Sequence, residues 1–84
     1  MSKKQKLLEK MLNNQKNLRF EELLLLAEYL GFEFVRTKGS HHMLAHRRLE
    51  ISLNLQPINN KAKQYQVVQL IKYLEEFGLQ LEDE

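Results

Sequence analysis

At 84 residues the chain has room for one domain, and a domain this small buries only about 60% of the surface its unfolded chain exposes. Apolar residues make up 43% and charged residues 29%, the balance of an ordinary soluble domain rather than a disordered chain; the absence of cysteine excludes a disulfide framework, a thiol nucleophile and a thiolate metal site. The net charge of +2 conceals a division, because residues 1–48 carry ten Lys/Arg against five Glu and residues 49–84 carry three Lys against six Asp/Glu.

The first element is helical. Ser2 is placed to cap it, and Leu7, Leu8, Met11 and Leu12 form a stripe at helical spacing over 3–12. Glu9 and Lys10 interrupt any signal-peptide core after the basic start, so no targeting segment is read and a reducing cytoplasm is the expected compartment. Asn13-Asn14-Gln15-Lys16-Asn17 breaks the helix, since Asn side chains compete for backbone hydrogen bonds. A second helix follows, with Phe20, Leu23, Leu24, Ala27 and Leu30 on one face, Leu25, Leu26 and Tyr29 broadening it, and Gly31 at the left-handed C-cap position. Its run of Leu23-Leu24-Leu25-Leu26-Ala27 is the longest apolar stretch and is far short of a membrane span.

Strands come next. Residues 32–38 are aromatic and β-branched, with Val35 and Thr37 expected on one face and Arg36 and Lys38 on the other. Gly39-Ser40 marks a turn, 41–46 a second strand, and Arg47-Arg48 a second tight turn. Residues 49–55 alternate, with Leu49, Ile51, Leu53 and Leu55 inward and Glu50, Ser52 and Asn54 outward. Gln56 to Asn60 reads as a loop ending in an N-cap, and a last helix over 61–77 carries the stripe Val67, Leu70, Ile71, Leu74, Phe77 before Gly78. The expected fold is α+β: a three-stranded antiparallel sheet covered on one face by helices, the other face open and carrying Arg36 and Lys38.

The segment Arg36-Thr37-Lys38-Gly39-Ser40-His41-His42, following a helix that ends in Gly31-Phe32, resembles the core of HicA toxins, the RNA-cleaving halves of HicA–HicB toxin–antitoxin pairs. The family pattern is a Gly-Ser-His turn with an apolar residue three positions beyond the histidine, here Leu44. Tyr65-Gln66-Val67-Val68-Gln69-Leu70 and Leu74-Glu75-Glu76-Phe77-Gly78-Leu79 are similar to the closing helix of one subgroup, so the resemblance spans nearly the whole chain. It implies the α-β-β-β-α fold of double-stranded-RNA-binding domains, here a single domain over 1–84 with a core at 18–79 and an extra N-terminal helix within 1–15. It implies a metal-independent endoribonuclease acting on mRNA with His41 as the essential residue and no cofactor, and a HicB antitoxin that covers the active face. The chain departs from the family at two places. Arg47 follows His46 where many relatives have Pro, and no histidine lies near Leu55-Gln56-Pro57 where many carry Pro-x-His.

RNA can be cleaved by its own 2′-hydroxyl attacking the adjacent phosphorus, which requires a base, an acid and positive charge at the phosphate. Histidine titrates near working pH, so His41 suits the acid–base role. Gly39 lets the backbone bend and a phosphate approach, and Ser40 is placed to orient the histidine or the phosphate. Arg36, Lys38, Arg47 and Arg48 are expected to ring His41 with positive charge, and Lys61 and Lys63 at the last helix are further candidates for phosphate contact, the alternative being a solvated first turn. His42 has the opposite parity and shares a face with Leu44, which favours a partly buried structural histidine over a second catalyst; a bulge at the turn would exchange the two roles. His46 is read as a turn residue, and Tyr65 and Tyr73 as packing residues. His42 and His46 have helical metal-ligand spacing, but on a strand that spacing does not give the helical geometry, and without cysteine or clustered carboxylates no metal site is expected. The competing reading is a non-catalytic module of the same fold that binds RNA or an antitoxin partner.

Overall fold

The structure is a computed structural model and describes residues 2–82. Helix α1 (Lys3–Asn13) is capped by the Ser2 hydroxyl, which accepts the Gln5 N–H at 3.1 Å. Met11 is fully buried and Leu7 and Leu8 pack beside it, so α1 contributes to the common core. Lys10 also donates to Glu22 at 2.7 Å, tying α1 to helix α2 (Phe20–Tyr29). In α2, Phe20, Leu23, Leu26, Ala27 and Leu30 turn inward, while Leu25 lies outside the stripe and is 42% exposed.

Strands β1 (Phe32–Lys38), β2 (His41–His46) and β3 (Ser52–Leu55) form an antiparallel sheet in that order. Phe32, Leu44, His46, Leu53 and Leu55 line the face against the helices. The other face carries Glu33, Arg36 and Lys38 from β1, His41, Met43 and Ala45 from β2, and Ser52 and Asn54 from β3. This arrangement requires a bulge, because Phe32 and Arg36 have the same parity yet occupy opposite faces. The register shifts between Phe34 and Arg36, so Val35 is the extra residue and every later side chain of β1 changes face. Thr37 then pairs with His42 on the helix side, and Lys38 pairs with His41 on the open side.

The third strand is shorter than the alternation predicts. The His46 ring takes the backbone N–H groups of Arg48 and Leu49 on Nδ1, at 3.1 and 3.2 Å, which holds them in a loop. Its Nε2 donates to the Leu30 carbonyl at 3.1 Å, so both ring nitrogens are satisfied in one neutral tautomer. His46 is therefore a buried organiser of the β2–β3 connection and not simply a turn residue. Gly31 is a consequence: its φ is +103°, and an added Cβ would sit 2.6 Å from His46 Nε2.

The expected loop at 56–60 is a hairpin. Strands β4 (Pro57–Ile58) and β5 (Lys61–Ala62) are joined by Asn59 and Asn60, with φ of 50° and 65°, the left-handed pair that a two-residue hairpin of type I′ requires. Asn60 is thus not a helix cap. Its carbonyl accepts the Phe20 N–H at 3.1 Å, and Ala62 N–H donates to Leu18 at 3.0 Å, so the hairpin seats the start of α2. Helix α3 (Gln64–Phe77) begins three residues later than expected, buries Val67 and Leu70, and ends at Gly78 in the left-handed conformation. Beyond it, Glu82 N–H donates to the Tyr29 carbonyl at 2.7 Å. The Glu82 carboxylate binds Arg47 and Arg48; Asp83 and Glu84 lie outside the described residues.

Candidate functional site

The β1–β2 turn has two residues. Gly39 has φ +60°, which a type II′ hairpin demands of its first central residue, and nothing lies within 4 Å of where its Cβ would be. The backbone at Gly39 is open to close approach. Two positions on, His41 is exposed on the open sheet face, and its Nδ1 meets Asn54 Oδ1 at 3.1 Å across β2 and β3. With the amide oxygen against Nδ1, that nitrogen carries the hydrogen, and in the neutral ring Nε2 is the acceptor. Lys38 stands opposite His41, and Arg36 two pairs further along, on the same face, opposite Met43.

A polar chain ties this turn to α3. Gln56 Nε2 donates to Ser40 Oγ at 2.9 Å, and Lys63 Nζ donates to Gln56 Oε1 at 3.0 Å. The backbone of Gln56 is fixed by the buried amide of Gln66. In the amide orientation that satisfies both groups, Gln66 accepts the Gln56 N–H at 3.1 Å and donates to the Gln56 carbonyl at 3.3 Å. Lys63 therefore stands at the same end of the sheet as His41. Among the described residues, Arg36, Lys38 and Lys63 make no ion pair with a carboxylate. This end consequently presents uncompensated positive charge around a histidine.

The other candidates go elsewhere. His42 is turned to the helix side, edge-on to Phe20 at 5.0 Å, with Nδ1 donating to the Ser40 carbonyl at 3.1 Å. These contacts tie His42 to the turn and to α2; the bulge lies in β1, not at the turn, so the faces of His41 and His42 are not exchanged. Arg47 and Arg48 do not ring His41. They lie beyond the far end of β2, which is itself about 17 Å from His41 at a strand's rise per residue. There Arg47 pairs with Glu33 at 3.4 Å and with Glu82 at 3.6 Å, and Arg48 with Glu82 at 3.2 Å. Lys61 belongs to β5, ahead of the first turn of α3, and its backbone forms a β-bridge with Arg19.

Tyr73 packs as expected, 6.4 Å from Phe32 in a stacked pair, whereas Tyr65 is 64% exposed and packs into no core. Asn54, Gln56 and Gln66 were not singled out by the sequence. Only the outward parity of Asn54 pointed to the first of them.

Among the described residues no group of three or more His, Cys, Asp or Glu side chains is placed to hold a metal ion, and no helix is long and apolar enough to cross a membrane. Comparison with known protein families, with curated proteins and with solved structures returns no match.

Proposed function

We propose that the chain is a HicA-like toxin: an RNA-binding endoribonuclease on the double-stranded-RNA-binding-domain plan, which cleaves mRNA without a metal and is silenced by a HicB-like antitoxin. The observation that carries the reading is His41, oriented by Asn54 on an open sheet face beside Lys38. In this mechanism Nε2 of His41 takes the proton of a 2′-hydroxyl while the oxygen attacks the adjacent phosphorus. The 2′,3′-cyclic phosphate forms as the bond to the 5′-oxygen breaks, and that oxygen takes a proton from the imidazolium or from water. Lys38 and Arg36 hold the phosphate and balance the charge that gathers on its oxygens. Asn54 supplies orientation in place of a second histidine. General acid–base help of this kind is worth roughly 10² to 10⁴ in rate, which predicts a slow enzyme. A HicB-like protein laid over the open face would cover His41 and Lys38 together.

One observation favours a second reading, a binding module without useful catalysis: His42 faces the helices, which leaves His41 the one histidine on the open face among the described residues. The two readings separate on purified protein and its His41→Ala variant, incubated with a mixed-sequence RNA in EDTA. The enzyme reading expects cleavage by the parent alone, with the variant retaining most of its RNA affinity. Cleavage by neither supports the binding module, and equal cleavage by both removes His41 from the chemistry.

A further inference from the structure

We infer that Tyr65 is a stacking platform for an unpaired RNA base, so that the site takes single-stranded rather than duplex RNA; the inference rests on the RNA-cleaving reading above. Two tyrosines of α3 differ in their surroundings. Tyr73 stacks on Phe32 and tilts against Phe77 at 5.9 Å, as a packing residue does. Tyr65, two turns earlier, leaves 64% of its surface in water at the end of the molecule that carries His41. Its hydroxyl meets the Gln66 amide at 3.3 Å, but the ring itself packs into no core.

Its surroundings supply the link to the site. Lys63 Nζ lies 6.0 Å from the Tyr65 ring centroid and donates to Gln56, which in turn holds Ser40 in the turn before His41. One cation therefore stands between the exposed ring and the turn. A nucleotide with its phosphate on Lys63 could lay its base on Tyr65 while the next phosphate lies toward His41. Gln66 fixes the Gln56 backbone, so the spacing between ring and turn is set before RNA arrives. Stacking on an aromatic side chain is open to any base, because every base has a π-face, but only when that base is unstacked from its neighbours. The chemistry makes the same demand. A 2′-oxygen must reach a position in line with the leaving 5′-oxygen, and an A-form duplex holds it out of that line.

The test is binding of a labelled mixed-sequence single-stranded RNA and of its matched duplex, read by anisotropy. It is run in the His41→Ala background so that the RNA stays intact. The Tyr65→Leu change is expected to weaken single-strand binding roughly tenfold, and Tyr65→Phe, which keeps the ring, to leave it near the parent value. An abasic nucleotide at the stacked position should cost as much in the parent and nothing further in Tyr65→Leu. Equal binding by parent and Tyr65→Leu overturns the platform while leaving the RNA-cleaving reading intact. Tighter binding of the duplex by the parent overturns it as well. Absence of RNA binding by the parent brings down both readings. If RNA affinity is unchanged and only capture of a protein partner is lost, then Tyr65, with Val68 one turn on, is a protein contact instead.

Discussion

His41 and His42 are neighbours in sequence with opposite surroundings, and strand alternation accounts for the difference. That alternation was legible: Leu44 is an obvious core residue, and its parity assigns His42 inward and His41 outward. The role of His46 was not, because it depends on two N–H groups and a carbonyl brought together by the fold. Asn54 was half legible, since its outward parity was clear while its partner was not. Glu22 shows how one side chain can serve two elements. Burial pushes its carboxyl up, but the hydrogen bonds from Lys10 Nζ and the Arg19 N–H, together with the charges of both residues, more than offset this and hold its pKa below the usual carboxylate value. Folding therefore favours the ionised form. The stabilisation is fully present above the unfolded-state pKa and is lost as pH falls through the folded one. Glu22→Gln is expected to lower the urea midpoint at neutral pH, with the gap from the parent closing in acid below the folded pKa. A gap that persists unchanged in acid would assign the loss to packing or to hydrogen-bond geometry and not to charge.

Elements with a strong period were readable and those built on two residues were not. The apolar stripes of α2 and α3 appear where the spacing placed them except at Leu25 and Phe77, which are exposed, and the Gly39-Ser40 turn joins the expected strands. The bulge at Val35 was hidden because period-two reading has no symbol for an extra residue. It surfaces only as a conflict between Phe32, which must be buried, and Arg36, which must not. The β4–β5 hairpin was hidden because two-residue strands carry no alternation, and Asn59-Asn60 before a helical stripe reads equally as a cap. In the structure both Asn residues adopt left-handed φ, a conformation asparagine tolerates and β-branched residues resist. Asn60→Val is therefore expected to destabilise the fold by about 1–2 kcal/mol, with Asn60→Gly close to the parent. The check is urea denaturation of the three proteins. The effect should also weaken the start of α2, since the Asn60 carbonyl holds the Phe20 N–H. Parent-like stability of Asn60→Val would mean that the turn does not need its positive φ.

At the scale of the whole molecule, the fold sorts the charges that the sequence only counted. Arg47 and Arg48 are held by Glu33 and Glu82 at one end of the sheet, whereas Arg36, Lys38 and Lys63 gather at the other end with no carboxylate partner among the described residues. The sequence could not divide its arginines in this way, because Glu82 reaches Arg48 across 34 positions of chain. The division makes a prediction about salt. A cation that contacts a phosphate releases counterions, so removing it lowers the slope of log affinity against log salt concentration by about 0.7 for a single strand. Lys38→Ala and Arg36→Ala are each expected to weaken RNA binding and to reduce the slope by about that amount. Arg47→Ala should leave the slope unchanged, since its guanidinium is already paired with Glu33 and Glu82 and lies at the far end of β2. The measurement is affinity for one labelled RNA over a range of salt, in the His41→Ala background. If Arg47→Ala flattened the slope as much as Lys38→Ala, the RNA would have to run the full length of the open sheet face. Recognition would then extend well beyond the turn at His41, and a partner that silences the site would have to displace RNA from the whole face.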